Sequence, residues 1–275
     1  MSNFLQRAIT GTFFVAFIVF MTLFRQWTFL VLLMLIAGVG MYEYLNIVLK
    51  GEIKLRHLIV VITGPALIYF VSKCNPQLIL LMMPVYFSTI AVFVLFSENR
   101  NWSELGHLLV VIFYVPVPLA MFYYSTQVYD PYGANVILAK GSSMALNLFI
   151  LIWSSDTFAY LSGKAFGKHK MFAKVSPGKT WEGFIGAAIL TIAMSYLLSY
   201  LFEIPNEANA IIAILTVVFG TMGDLVESML KREYGIKDSG NILPGHGGVL
   251  DRFDALLISL PFTTMVYFIW QGLDY

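Results

Sequence analysis

WTFLVLLMLIAGVGMYEYLNIVL, residues 27–49, is a run of 23 residues in which Glu43 is the only charged side chain. A helix of about 20 residues is long enough to cross a hydrocarbon core of roughly 30 Å. Eight more runs of this kind occur along the chain, at approximately Phe4–Phe24, His57–Lys73, Leu78–Phe96, His107–Ser125, Ser143–Ser162, Glu182–Phe202, Ala208–Leu230 and Ala255–Gly272. The period-two alternation that marks a membrane barrel does not occur in them. The sequence therefore predicts an all-α, polytopic integral membrane protein with about nine transmembrane helices.

The composition supports a membrane protein and excludes several other classes. Hydrophobic residues make up 59% of the chain and charged residues 12%, whereas soluble domains are about one quarter charged. A net charge of +1 provides no basic field for nucleic acid. Because Cys74 is the only cysteine and the four histidines are scattered, we expect neither an intrachain disulfide nor a zinc site. The first apolar run lacks a signal-peptide cleavage site and is predicted to be a retained span.

The positions of lysine and arginine predict the orientation in the membrane. If nine spans are assumed, 14 of the 17 basic residues fall on the side of the N-terminus and the even-numbered loops. Basic residues are enriched in the cytoplasmic loops of membrane proteins. We therefore expect a multi-pass protein of the cell membrane whose N-terminus is cytoplasmic.

Charged residues are concentrated in two stretches of the second half of the chain. Residues 163–182 and 224–254 carry 16 of the 33 charges, and both stretches lie on the predicted cytoplasmic side. This distribution divides the chain into an N-terminal membrane region, residues 1–140, with about five spans, and a catalytic membrane region, residues 141–275, with about four. A charged soluble substrate would meet the protein at these cytoplasmic loops.

The first charged stretch contains a lysine and a hydroxyl directly before a predicted helix. Its GKT triplet lacks the earlier glycine of a phosphate-binding P-loop, because Ala173 occupies that position. Ser176-Pro177-Gly178 is predicted to form a turn. Lys179 and Thr180 would then lie at a helix N-terminus, where free N–H groups attract anions. The alternative is an ordinary basic loop in which Glu182 is a helix-start charge.

Outside the two charged stretches, two carboxylates lie within predicted spans. A charged group in a membrane is costly unless it is paired or hydrated, so Asp156 in the sixth run is a functional candidate. Glu43 in the second run has two readings that the sequence leaves open. It is either functional or a residue at the water-facing end of its helix.

The second charged stretch places polar residues along one helical face. Asp224, Ser228 and Lys231 are spaced i, i+4 and i+7, which stacks them on the same side. Gly220 and Gly223 precede them and allow close approach of a neighbouring helix or a ligand. This face must therefore meet a polar cavity or the cytoplasm.

The stretch returns to the membrane through PGHGGVLDRFD, residues 244–254. Asp251 and Asp254 would lie on one side of the first turn of the last helix. Helix capping explains one aspartate, but not the basic residues around both. Mg²⁺ is held by one or two carboxylates together with substrate phosphates, and basic side chains bind polyphosphate. The residues thus predict a Mg²⁺-dependent enzyme that acts on phosphoryl groups at the membrane face.

Residues 228–254 resemble the signature of the phosphatidate cytidylyltransferases, also called CDP-diacylglycerol synthases. The matching positions are Ser228, Lys231, Arg232, Lys237, Asp238, Pro244, His246, Gly247, Gly248, Asp251, Arg252 and Asp254. SPGKTWEG, residues 176–183, and WSSDTFAY, residues 153–160, resemble two further blocks of the family. Gly178 departs from the pattern, since relatives often carry a larger polar residue there. The first 140 residues resemble the family only in being membrane helices.

The resemblance implies that CTP and phosphatidic acid are converted to CDP-diacylglycerol and pyrophosphate in a membrane-lipid environment. By resemblance, Asp224 and Asp251 are the expected Mg²⁺ ligands, with Asp254 and Asp156 as supports, and a second cation is left open. The expected catalytic residues are Lys179, Lys231, Arg232, Lys237, Asp238, His246 and Arg252. The expected substrate-binding residues are Ser176, Thr180, Ser228, Gly247 and Gly248. A homodimer is also left open.

Three other functions fit the sequence less well. A CTP-dependent lipid-alcohol kinase would transfer the γ-phosphate instead, and the near-complete signature argues against it. A CDP-alcohol phosphotransferase needs a glycine after its first aspartate, where this chain has Leu225 after Asp224. An ion-coupled transporter would place its charges at mid-membrane, whereas here they collect at one face.

Overall fold

The computed structural model describes residues 3–73, 84, 87–92, 94–95, 102–128 and 141–273. Helices dominate these residues, and one short hairpin interrupts them. The helices are α1 (Asn3–Phe24), α2 (Gln26–Val48), α3 (Leu55–Lys73), α4 (Trp102–Tyr114), α5 (Pro116–Val128), α6 (Ser142–Phe166), α7 (Trp181–Phe202), α8 (Asn206–Glu233) and α9 (Leu250–Leu273). The hairpin strands are β1 (Lys170–Phe172) and β2 (Ser176–Thr180). Residues 234–249, which connect the last two helices, are called the α8–α9 loop below.

The predicted class, an all-α polytopic membrane protein, is confirmed. In the described residues, seven helical segments are long and apolar enough to cross a membrane, and α1 adds the shorter apolar segment Ala8–Phe24. Helices α4 and α5 together make one of these segments, with a break at Val115 ahead of Pro116. The predicted run Leu78–Phe96 falls mainly outside the described residues. The count of nine spans and the cytoplasmic N-terminus therefore stay predictions.

Helix α2 forms the centre of the N-terminal helices. Leu33, Ala37, Met41 and Leu45 are fully buried along one face at a spacing of four residues. The helix packs against α1, α3, α4, α5 and α9. Large apolar side chains elsewhere on the molecule, such as Phe13 on α1, are exposed, as expected for helices that face lipid.

The C-terminal helices approach one another closely at glycines. A Cβ atom at Gly223 of α8 would collide with the main-chain oxygen of Asp254 on α9, and one at Gly186 of α7 would collide with Ser162 of α6. Small residues let membrane helices come into backbone contact, where dispersion and hydrogen bonding replace the hydrophobic effect. The prediction that Gly223 allows close approach of a neighbouring helix is confirmed.

A buried amide pair joins the C-terminal helices. Asn147 Nδ2 of α6 donates to Asn209 Oδ1 of α8 at 2.7 Å and to the Tyr267 hydroxyl of α9 at 3.0 Å. Asn209 Nδ2 donates back to Asn147 Oδ1 at 3.2 Å and to the Ser195 carbonyl of α7 at 2.9 Å. Because buried polar groups cost several kcal/mol when unpaired in lipid, this network favours one arrangement of the four helices.

The predicted turn at Ser176-Pro177-Gly178 is wrong, because all three residues belong to strand β2. The turn lies at residues 173–175 instead, and β2 pairs antiparallel with β1 through Phe172–Ser176 and Lys170–Thr180. The register shifts between these two pairs, so residues 177–179 of β2 form a bulge opposite the single residue 171 of β1. A bulge accommodates a proline because its residues need not donate to the ladder.

Candidate active site

A cavity of about 460 Å³ opens among α6, β2, α8 and α9, and it is called the charged cavity below. Its walls carry the acidic residues Asp156, Asp224, Glu227, Asp238, Asp251 and Asp254 and the basic residues Lys179, Lys231 and Arg252. Ser155, Ser176, Thr180 and Thr221 add hydroxyl groups. Six acidic side chains against three basic ones leave an excess of negative charge when all are ionised.

The hairpin brings Lys179 to helix α8. Its Nζ lies 2.7 Å from Asp224 Oδ2 and donates to the Thr221 carbonyl at 3.3 Å. The other Asp224 oxygen accepts a hydrogen bond from the Ser228 hydroxyl at 3.2 Å. Residue Thr180, at the end of β2, caps α7 by accepting from the Gly183 N–H at 3.2 Å. The strand thus supplies a cation to the cavity and at the same time starts the next helix.

Lys231 joins α8 to the first turn of α9. Its Nζ lies 2.6 Å from Asp251 Oδ1 and 3.0 Å from Glu227 Oε2. The second Asp251 oxygen accepts from the Ser239 N–H at 2.9 Å and from the Gly248 N–H at 2.8 Å. Both oxygens of Asp251 are therefore engaged, and this carboxylate fastens the α8–α9 loop to the last helix.

Two further carboxylates of the cavity are buried. Asp254 Oδ1 accepts a hydrogen bond from the neighbouring Ala255 N–H at 2.7 Å. The charge of Asp254 lies close enough to Asp224 and Asp156 to interact with them. Glu227 is 1% exposed, its carboxyl group lies next to that of Asp254, and no N–H or O–H group of the described residues donates to its Oε1. Buried acceptors of this kind call for a partner.

The chemistry of these side chains suits a hard divalent cation. Carboxylate oxygens of Asp156, Asp224, Glu227 and Asp254 share one cavity, and oxygen donors are the ligands that Mg²⁺ prefers. Across the described ranges, no three His, Cys, Asp or Glu side chains already converge closely enough to form a complete metal cage. Such a site fits a cation that arrives with substrate phosphates, which is the usual situation for Mg²⁺.

The charged cavity gathers ten of the residues that the sequence analysis selected. These are Asp156, Ser176, Lys179, Thr180, Asp224, Lys231, Asp238, Asp251, Arg252 and Asp254. The structure thus brings together residues from all three blocks of the resemblance, although they are separated by up to 98 positions in the sequence. Their individual catalytic, substrate-binding and metal-binding roles stay predictions.

The other six selected residues do not line the cavity. Arg232 is exposed and donates to the Ile236 carbonyl at 3.3 Å, and Lys237 is exposed on the α8–α9 loop. Ser228 does not line the cavity, but its hydroxyl donates a hydrogen bond to Asp224, which does. The His246 ring faces α1, where a Cβ at Gly11 would lie 3.3 Å from its Nε2. The roles assigned to these residues also stay predictions.

Gly247 and Gly248 shape the α8–α9 loop through protein contacts. Gly247 has a φ of +83°, and a Cβ there would lie 2.5 Å from Asp251 Oδ2. A Cβ at Gly248 would lie 2.5 Å from Glu43 Oε2. In the structure, both glycines therefore make room for carboxylates of this chain.

Sequence reasoning missed Glu227 and left Glu43 undecided. A signal for Glu227 was present, since it precedes Lys231 by four residues on the polar face of α8. For Glu43, the water-facing alternative is wrong, because the residue is 3% exposed. Its partners belong to the α8–α9 loop and the start of α9, about 200 residues away in the sequence.

The fold and the charged cavity define a polytopic membrane protein in which acidic and basic side chains of the C-terminal helices and the hairpin share one cavity. Over residues 5–270 the chain matches the model of the cytidylyltransferase family, and it belongs to that family. The resemblance noted in the sequence is thereby confirmed, and with it the assignment as a nucleotidyltransferase.

Several relatives carry the name phosphatidate cytidylyltransferase. The one from Bacillus subtilis (strain 168) is 31% identical over 271 residues, which cover 94% of this chain and 95% of the relative. The one from Staphylococcus aureus (strain COL) is 32% identical over 92% of this chain and 95% of its own. The one from Haemophilus influenzae is 37% identical over 61% of this chain and 66% of its own. The similarity to the first two extends through the N-terminal helices, so the prediction that the first 140 residues resemble the family only in being membrane helices is wrong.

Proposed function

We propose that the protein transfers CMP from CTP to phosphatidic acid, which gives CDP-diacylglycerol and pyrophosphate. The observation that carries the proposal is the charged cavity, where Lys179, Lys231 and Arg252 meet several carboxylates at the ends of membrane-spanning helices. The names of the relatives supply the substrates. Membrane helices give access to a diacyl lipid, while the cavity offers a polar place for a nucleotide.

The chemistry requires little covalent participation by the protein. A phosphate oxygen of phosphatidic acid attacks the α-phosphorus of CTP in line, and a new P–O–P bond forms as the bond to the β-phosphate oxygen breaks. Pyrophosphate leaves with the electron pair of that bond. Catalysis of such a step depends on positioning and on neutralising negative charge. Lys179, Lys231 and Arg252 are the cavity side chains that can do so.

The excess of carboxylates supports a requirement for Mg²⁺. When all are ionised, six acidic side chains that only three basic ones offset would repel a triphosphate. Asp224 remains our first candidate as a ligand, together with Asp251 and with Asp254 and Asp156 as supports, and Glu227 Oε1, to which no N–H or O–H group of the described residues donates, adds a further donor. When bound, Mg²⁺ would neutralise phosphate charge. A ligand role for Asp251 would have to coexist with its three present hydrogen bonds.

We also propose that the charged cavity faces the cytoplasm. Support comes from the 14 basic residues on one predicted side and from the positive-inside rule. CTP would then enter from water, while phosphatidic acid would enter sideways from the bilayer.

The deciding experiment follows labelled phosphate. Detergent-purified protein is given phosphatidic acid, Mg²⁺ and CTP labelled at the α-phosphate, and the lipid fraction is counted. We expect label in the lipid, and we expect EDTA to abolish it and added Mg²⁺ to restore it. A parallel reaction with γ-labelled CTP and diacylglycerol tests the lipid-alcohol kinase. If lipid is labelled only by γ-labelled CTP, the proposal is wrong and the protein is a lipid-alcohol kinase. If neither CTP labels the lipid, the proposal is also wrong and transport is tested next.

A further inference from the structure

Glu43 places a buried carboxylate from the N-terminal helices directly against the α8–α9 loop. It lies on α2 and is 3% exposed. Resting on the proposed function, we propose that Glu43 is a positioning residue, which holds the α8–α9 loop so that Asp251 and Lys231 keep their places in the charged cavity. It does so without touching the cavity itself, because it is absent from the cavity lining in the described residues.

Glu43 caps helix α9 from a distance. Its Oε1 accepts the Val249 N–H at 3.0 Å, and its Oε2 accepts the Leu250 N–H at 2.8 Å. The first N–H groups of a helix have no partner within the helix, and a capping side chain usually comes from the residue just before it. Here the capping group belongs to another helix. A negative charge at this place is also stabilised by the helix dipole.

A third bond links Glu43 to the charged cavity. The Ser239 hydroxyl donates to Glu43 Oε2 at 3.2 Å, and the Ser239 N–H donates to Asp251 Oδ2 at 2.9 Å. The other oxygen of Asp251 pairs with Lys231. One residue, Ser239, therefore separates Glu43 from the ion pair of the cavity. None of the ion pairs found in the described ranges includes Glu43, so its charge is compensated by these N–H and O–H donors.

The space around Glu43 is filled by the protein. A Cβ at Gly240 would lie 2.5 Å from Glu43 Oε1, and one at Gly248 would lie 2.5 Å from Oε2 and would collide with the Ser239 hydroxyl. Two glycines of the loop thus pack directly on this carboxylate. A group enclosed in this way has no room to contact a substrate, which favours a positioning role over a catalytic one.

The test compares Glu43→Gln with Glu104→Gln in the label-transfer reaction. Glu104 is a similarly buried carboxylate of the N-terminal helices, and its partners are Arg56 and His57, neither of which lines the charged cavity. Glutamine keeps the volume of glutamate but presents an NH₂ group to donors that need an acceptor. We expect Glu43→Gln to lower kcat about 10- to 100-fold, because small misplacements of charged groups have effects of this size. Glu104→Gln should change kcat less than about twofold.

Ser239→Ala serves as a second, gentler variant. It removes only the hydroxyl bond to Glu43 and leaves the N–H bond to Asp251 in place. We expect kcat to fall by a smaller factor than in Glu43→Gln. In the Glu43→Gln background, Ser239→Ala should have little additional effect, because residues of one network are not additive.

A protease measurement does not depend on activity. Lys237 is exposed within the α8–α9 loop, so trypsin can report on whether the loop is held. We expect faster cleavage after Lys237 in Glu43→Gln than in the wild type and in Glu104→Gln. Equal cleavage rates with an unchanged kcat in Glu43→Gln would overturn the inference. Failure of the wild type to label the lipid would overturn the proposed function instead, and the two failures are therefore distinguishable.

Discussion

Among the described residues, two clusters of ionisable side chains differ in their surroundings, and the C-terminal cluster lines the charged cavity. In the N-terminal helices, Arg56 Nε and Nη2 donate to the two oxygens of Glu104 at 2.8 and 3.1 Å. His57 Nε2 lies 2.8 Å from Glu104 Oε1, and its Nδ1 accepts the Lys54 N–H at 2.9 Å. In the C-terminal helices, Lys179 and Lys231 each pair with an aspartate beside open space.

The difference shows that charge within apolar helices does not by itself identify an active site. The N-terminal cluster has a partner for each polar atom named above, so its ion pairs connect helices α3 and α4. The charged cavity instead combines an excess of acids with the Oε1 of Glu227, to which no N–H or O–H group of the described residues donates. Incomplete pairing of buried acceptors next to a cavity is therefore the feature that marks a candidate functional site.

The largest expected effect comes from Asp224→Asn and Asp251→Asn. Each removes a charge from the cavity and weakens the ion pair of Lys179 or Lys231. We expect each variant to lose at least about 100-fold in turnover, because charge stabilisation dominates phosphoryl-group chemistry. Thermal unfolding followed by tryptophan fluorescence should show that the protein remains folded.

Glu207→Gln is the matched control for Asp224→Asn. Glu207 lies on the same helix, is exposed and does not line the cavity. We expect turnover close to that of the wild type. Near-normal turnover in either aspartate variant would show that the assigned carboxylate is dispensable for the reaction.

Lys231→Met should impair both activity and stability. The substitution leaves the buried carboxylates of Glu227 and Asp251 without their shared cation. Removing one partner of a buried ion pair costs about 3–5 kcal/mol, because the other charge stays desolvated. A lower unfolding temperature together with lost label transfer is the expected result. Lys174→Met, at an exposed turn position of the hairpin, should change neither measurement; an equal fall there would point to a general effect of charge.

Much of this architecture could be predicted from local sequence. Eight of the nine apolar runs correspond to described helices or to parts of them, because lipid leaves the backbone few options besides the helix. The close approach at Gly223 was also predictable, since small residues let membrane helices come into contact. The charged blocks were recognisable because charged side chains are rare within apolar helices and are costly there unless they are paired or hydrated.

The remainder depended on contacts between distant segments. The partners of Glu43 are separated from it by 196 to 207 residues, so nothing near residue 43 indicates them. The hairpin was missed because Pro177 and Gly178 normally mark a turn, whereas pairing with β1 places them in a bulge. The sequence also did not indicate which signature residues line the cavity. Arg232 and His246 belong to the signature but do not line it.

Gly223→Ala should disturb the contact between α8 and α9 beside the charged cavity. The added methyl group would collide with the Asp254 carbonyl, which would push α9 away from α8 and displace Asp254. Overpacking of a close contact typically costs about 1–3 kcal/mol. We expect a lower unfolding temperature and reduced turnover. Gly106→Ala on α4 is the control, since its Cβ would meet nothing within 4 Å; a similar loss there would argue against the specific contact.

Glu104→Gln should have the smallest effect on activity of these substitutions, although it should lower stability. The neutral amide that replaces the carboxylate cannot balance the positive charge of Arg56. The Arg56 side chain is only 14% exposed and would lose its charged partner. Loss of a charge-assisted hydrogen-bonding partner costs about 1–3 kcal/mol, so the unfolding temperature should fall. Because neither Arg56 nor His57 lines the charged cavity, the folded enzyme should turn over at nearly the wild-type rate. Measured below the unfolding temperature, a large fall in kcat would show that the two clusters are coupled through the intervening helices.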